Sequence, residues 1–104
     1  MSIKSVLREE LDNSMRMQER YVQELARLPR GSLVKRVIKG NDYYYLVYRQ
    51  DGKVHSVYQG KSSADEIAKY DAAKRKRAQY RQQLSMVKKQ IQFLRGALRG
   101  NEAI

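Results

Sequence analysis

Leu7, Leu11, Ser14, Gln18, Tyr21, Leu25 and Leu28 recur at alternating spacings of four and three residues, with Met15 and Val22 widening the stripe. A helix turns about every 3.6 residues, so this rhythm lines one helical face and predicts a helix over 3–28. Pro29 cannot continue it, and Gly31 completes the stop. The rhythm returns later in the chain, through Ala73, Arg77, Tyr80, Leu84, Val87, Ile91, Leu94 and Leu98. Ser63-Ala64-Asp65-Glu66 has the capping-box pattern, in which serine and glutamate satisfy each other's orphan amides. A second helix is therefore predicted over 63–96, fraying near Gly96 or Gly100. Polar residues interrupt both seams: Ser14 and Gln18 in the first, Arg77 in the second. Such residues weaken a coiled coil but set its register.

Between the stripes the pattern changes period. Three β-rich runs, 33–39, 43–49 and 53–59, are separated by Gly40-Asn41-Asp42 and by Asp51-Gly52. Asp-Gly between two such runs signals a tight hairpin, because both turn positions need φ > 0. A two-residue loop there pairs Arg49 with Val54, Tyr48 with His55, Leu46 with Val57 and Tyr45 with Tyr58. The first hairpin can close on Gly40-Asn41 or on Asn41-Asp42. Either choice keeps the same side chains on the same face, since the two differ by two in register.

The predicted fold class is α+β, in the order helix, three-stranded antiparallel meander, helix. At 104 residues the chain is expected to form a single domain. A sheet this small cannot cover two apolar stripes of roughly 40 Å each. The helices must pack on one another as a coiled-coil-like pair, within the chain or across a dimer, and an elongated homodimer is expected.

The net charge of +11 is unevenly spread. Residues 1–28 carry five cations and five acids, residues 29–61 seven against two, and residues 62–104 ten against four. Such a field draws in polyanions, chiefly nucleic acid, with anionic membrane a weaker candidate. No apolar run approaches the roughly 18 residues of a membrane span. Acids in MSIKSVLREELD stand where a signal peptide needs an apolar segment. The absence of cysteine rules out disulfides and thiolate metal sites and suits a reducing, cytoplasmic setting.

Catalytic constellations are nearly absent. His55 is the one histidine, and it falls on a predicted strand with no carboxylate or nucleophile nearby in sequence. One histidine and scattered carboxylates make a poor metal site. Glu9, Glu10 and Asp12 are explained by the positive end of the first helix. No glycine pattern matches a phosphate loop. Neither an enzyme nor a cofactor is expected.

Alternation sorts the meander into two faces. One carries Leu33, Lys35, Val37, Lys39, Tyr44, Leu46, Tyr48, His55, Val57 and Gln59. The other carries Val34, Arg36, Ile38, Tyr43, Tyr45, Val47, Arg49, Val54, Ser56 and Tyr58. The second has fewer polar members beyond its tyrosines, so it is expected to lie on the helices, with Tyr44 and Tyr48 presented to solvent. Lys35, Lys39, Arg49, Lys53, His55 and Lys61 would then hold phosphates or base edges, aided by Lys74, Arg75, Lys76, Arg77 and Arg81. Tyr44 and Tyr48 would stack bases or pack against the backbone.

The run Gly31-Ser32-Leu33-Val34-Lys35-Arg36, Tyr43-Tyr44-Tyr45-Leu46-Val47-Tyr48-Arg49, Gly52-Lys53-Val54, Tyr58 and Gly60-Lys61 resembles a family of small uncharacterised bacterial and archaeal proteins, some encoded near mobile elements. That likeness covers about residues 29–61 and implies no established activity. The passage Gly60-Lys61-Ser62-Ser63-Ala64-Asp65-Glu66 after three strands is also similar to the amino-terminal arm-binding domain of tyrosine recombinases. That likeness would imply a sheet lying in a DNA major groove. The long first helix, the longer second helix and the lack of a following catalytic domain depart from it.

Two functions follow as expectations. The first is a non-catalytic nucleic-acid-binding protein, DNA favoured over RNA. The second is a protein-interaction module, such as a phage or mobile-element accessory factor or inhibitor acting on a nucleoprotein. Its partner or dimer interface would be the seam Leu84, Val87, Ile91 and Leu94.

Overall fold

A computed structural model describes residues 2–100. Its elements are α1 (Ile3–Arg27), β1 (Ser32–Ile38), β2 (Asn41–Gln50), β3 (Lys53–Gly60) and α2 (Ala64–Gly100). The described residues divide into two compact units, one of residues 2–27 and 78–100, the other of residues 28–77. No described helix is long and apolar enough to cross a membrane.

In the helical unit Tyr21 lies beside Tyr80, ring centroids 6.1 Å apart. Gln18, one turn before Tyr21, lies beside Lys88 and Ile91, two turns and more after Tyr80, so α1 and the second part of α2 run antiparallel. Every seam residue is sheltered. Ser14 is 1% exposed, Val87 3%, Ile91 5% and Leu94 5%. Leu7, Leu11, Gln18, Tyr21 and Leu25 on α1, with Tyr80, Leu84 and Leu98 on α2, are half-buried. Each fully buried aliphatic side chain contributes about 1.5–3 kcal/mol. Met15 and Val22 stay exposed, so the stripe is narrower than expected.

This burial corrects the interface expectation. Val87, Ile91 and Leu94 are covered within the single chain, with Leu84 half-buried beside them. These side chains are not free to receive a partner helix. The helix also continues past Gly96 to Gly100. A helical glycine costs only about 1 kcal/mol, which the sheltered Leu94 and Leu98 on either side offset.

In the other unit the strands form one sheet in the order β1-β2-β3, both pairs antiparallel. Arg49↔Val54, Tyr48↔His55, Leu46↔Val57 and Tyr45↔Tyr58 are partners, as the Asp51-Gly52 turn requires. Asp51 (φ 53°) and Gly52 (φ 75°) both have left-handed backbone. The first hairpin closes differently from either expected loop. Ile38 pairs with Asn41, and the turn is Lys39-Gly40, with φ of 52° and 81°. That register differs by two from the nearer alternative, so the sorting of faces survives. Lys39 is a turn residue and belongs to neither face. Near the end of β3 the register shifts: Tyr45 faces Tyr58 but Tyr44 faces Gly60, leaving Gln59 as the extra residue of a bulge.

α2 opens with the serine half of the expected capping box, the Glu66 carboxylate making no return bond among the described residues. The Ser63 hydroxyl accepts a hydrogen bond from the Glu66 amide at 3.1 Å. Its first turns lie over Leu33 and Tyr44, bringing Ile67, Ala68 and Tyr70 to that side of the sheet around a groove of about 470 Å³. Around Leu33 and Tyr44 the side covered is thus the one expected to be exposed, while Val37 and Val57 of the same face stay open. Polarity summed over a whole face misleads here, because cover is local. Of the polar residues counted against burying it, Lys39 sits in a turn while His55 and Gln59 sit on β3, which is exposed from Lys53 to Gln59. In β1 and β2 the same face offers the partnered leucines Leu33 and Leu46.

Candidate functional site

Turning Leu33 and Tyr44 towards α2 leaves Arg36 and Ile38 of β1 on the other side, with Tyr43, Tyr45, Val47 and Arg49 of β2 and Val54, Ser56 and Tyr58 of β3, while Val34 reaches the edge of the groove under α2. Register then assembles an aromatic array. Tyr45 and Tyr58 are cross-strand partners with ring centroids 5.3 Å apart and planes inclined at 58°. Tyr43 is 6.3 Å from Tyr58 on the diagonal. The Arg36 guanidinium lies over the Tyr45 ring, 5.4 Å from its centroid. One residue of β1, two of β2 and one of β3 thus form a continuous Arg–Tyr–Tyr–Tyr cluster across the sheet.

The array faces solvent. Tyr58 is 58% exposed, and Ile38 (46%) and Val54 (63%) on its face are open as well, as are Val37 (63%) and Val57 (42%) on the opposite face beyond the reach of α2. Tyr43 and Tyr45 are half-buried by their neighbours, and Arg36 and Arg49 are exposed. Tyr58 leans towards Gly60, whose missing Cβ would lie 3.6 Å from the tyrosine hydroxyl. A cation over an aromatic face is attracted by the ring quadrupole and keeps its N–H edges available. This unit carries twelve cations against five acids, net +7.

The expected site residues scatter. Arg49 alone shares the open face with the array. Tyr44 is half-buried beside Ile67. Tyr48 is half-buried and stacked on His55, centroids 5.3 Å apart at 17°. Lys35, Lys53 and His55 are exposed on the covered side's register, and Lys39 stands in its turn. Lys61 lines a shallow hollow with Gly40, Asp42 and Tyr44.

The basic run also splits. Arg75 is paired with Asp71 at 2.6 Å. Arg77 is turned inwards, donating to the Pro29 carbonyl at 2.7 Å. It is a structural clamp and leaves the candidate surface. Lys74 and Lys76 remain exposed, as does Arg81 in the helical unit. Arg36, Tyr43, Tyr45 and Tyr58 were absent from the expected site, although alternation had already placed them together. The distinguishing signal was the Leu33–Leu46 partnership on the opposite face. Among the described residues no cluster of three or more His, Asp or Glu is placed to hold a metal ion.

No curated protein and no solved structure matches the chain. Residues 3–69, from α1 through the whole sheet into α2, match the family described as Domain of unknown function (DUF6788), and the chain belongs to that family.

Proposed function

We propose that this is a non-catalytic nucleic-acid-binding protein whose contact surface is the open face of the sheet. The observation that carries this reading is the Arg36–Tyr45–Tyr58–Tyr43 array, solvent-facing and set in a unit of net charge +7. Arg36 and Arg49 would hold phosphates, while the exposed Tyr58 ring offers a stacking surface to an unpaired base. Base–aromatic stacking is worth about 1–3 kcal/mol per base and tolerates any sequence. Lys74 and Lys76 add long-range attraction. For duplex partners DNA is favoured over RNA, because the A-form major groove is too deep and narrow for side chains to read. A chain without cysteine suits a cytoplasmic setting, where such partners are found.

The test is a mobility-shift series with single-stranded DNA, duplex DNA and RNA at two salt concentrations. Binding should weaken steeply as salt rises, because neutralised phosphates release counterions. Binding that does not change between low and moderate salt would sink the proposal.

A further inference from the structure

The second part of α2 holds a feature that the sheet reading does not use. Residues 72–100 contain nine cations and no acid. Within the helical unit, Lys88, Arg95 and Arg99 line an open groove of about 710 Å³, joined by Gln18 of α1 and Gln92, over a floor of Ile91 and Leu98. All three cations are exposed, and among the described residues none makes an ion pair.

Ordinary helix chemistry does not explain this placement. Cations complement the helix dipole only within the last turn, which accounts for Arg99 but not for Lys88 or Arg95. Arg95 and Arg99 are four residues apart, a like-charge spacing that destabilises a helix. Arg95 has no acid three or four positions away, and for Arg99 the one acid at that spacing, Glu102, lies outside the described residues. Lys88, Gln92, Arg95 and Arg99 follow at i, i+4, i+7 and i+11, so they form one stripe along the groove. At 1.5 Å per residue the stripe is about 16 Å long. One nucleic-acid strand, at roughly 3.4 Å per phosphate along its axis, would present about five phosphates over that length.

We infer that this groove is a second, separate binding site that takes a nucleic-acid phosphodiester backbone, with Lys88, Arg95 and Arg99 on phosphates and Gln18 and Gln92 donating from their amides. The inference rests on the nucleic-acid reading proposed above but uses none of the sheet residues. A phosphate there relieves the Arg95–Arg99 repulsion, and the amides supply neutral donors between the charges.

The experiment measures the salt dependence of oligonucleotide binding for the full chain and for Lys88→Gln/Arg95→Gln/Arg99→Gln. The slope of log K against log salt should fall by about two to three, since each phosphate contributes about 0.7–0.9. Arg95→Gln alone should lower it by about 0.7–0.9, which keeps the test usable if the triple variant melts early. Arg8→Gln/Arg16→Gln/Arg20→Gln removes the same charge from α1 and should leave the slope nearly unchanged. An equal fall in that control, or an unchanged slope in the groove variant, overturns the site while leaving the sheet reading intact. Preference for anionic vesicles over oligonucleotide overturns it too. No oligonucleotide binding at low salt by the unaltered chain overturns both.

Discussion

Arg77 donates a hydrogen bond from its guanidinium to the carbonyl oxygen of Pro29 at 2.7 Å, with a longer contact of 3.5 Å to the carbonyl of Gly31. The bond ties α2 to the connection that follows α1, at the one cationic position of the second seam. A half-buried charge-assisted bond of this kind contributes about 1.5–3 kcal/mol. Arg77→Ala should lower unfolding stability by about that amount in urea titrations. Arg77→Lys should recover part of it, because an ammonium can reach only one carbonyl well. If Arg77→Ala instead leaves stability unchanged and weakens nucleic-acid binding, Arg77 belongs on the contact surface after all.

Gly31 and Gly52 both have left-handed backbone, at φ of 90° and 75°, but only one is crowded. A Cβ on Gly31 would lie 2.6 Å from the Val47 carbonyl oxygen and 3.1 Å from the Tyr48 Cβ, whereas one on Gly52 would meet nothing within 4 Å. Gly52→Ala should therefore cost only the backbone term, about 1–2 kcal/mol. Gly31→Ala adds a clash with β2 that backbone cannot easily relieve, for a total of about 2–5 kcal/mol. Thermal melts of the two variants check the order. Equal losses would mean that the approach of Gly31 to β2 is looser than described.

The seam was legible because helical position follows from counting alone. Ala73, Val87, Ile91 and Leu94 take the same angle on the helix whatever packs against them, and all four are buried. Strand pairing after Asp51-Gly52 was legible for a similar reason, since that turn fixes which residues face each other. The Lys39-Gly40 turn escaped because lysine has no preference for φ > 0, and only the left-handed freedom of Gly40 at its second position marks it. The open face escaped for a different cause. Alternation produces two faces of similar polarity, and the choice is made by where Ile67, Ala68 and Tyr70 of α2 come to rest. That contact links residues more than twenty positions apart, so no local pattern records it.

The same choice makes a prediction about binding. Tyr58→Ala should weaken oligonucleotide affinity about fivefold or more, in line with about 1–3 kcal/mol for a stacked base. Tyr58→Phe keeps the ring and should bind nearly as the parent does. Arg36→Gln removes both a phosphate contact and the cation over Tyr45, and should also weaken binding. Tyr44→Ala, beneath α2, should reduce stability without changing the affinity of the folded molecules. Fluorescence-anisotropy titrations below the melting temperature of each variant separate these effects. Loss of affinity in Tyr44→Ala with none in Tyr58→Ala would assign binding to the opposite face.

Ile91 and Phe93 are two residues apart on α2 and have opposite surroundings, 5% and 73% exposed respectively. Hydropathy alone ranks them alike, but only Ile91 lies on the seam. Ile91→Ala leaves a cavity between helices that can collapse only partly, costing about 2–5 kcal/mol. Phe93→Ala removes a ring already in water and should change stability by no more than about 0.5 kcal/mol. Urea unfolding of both variants at two protein concentrations checks the contrast. A loss in Phe93→Ala that grows with protein concentration would mean that a second copy covers this ring in solution. A concentration-independent loss equal to that of Ile91→Ala would place the seam on the wrong side of α2.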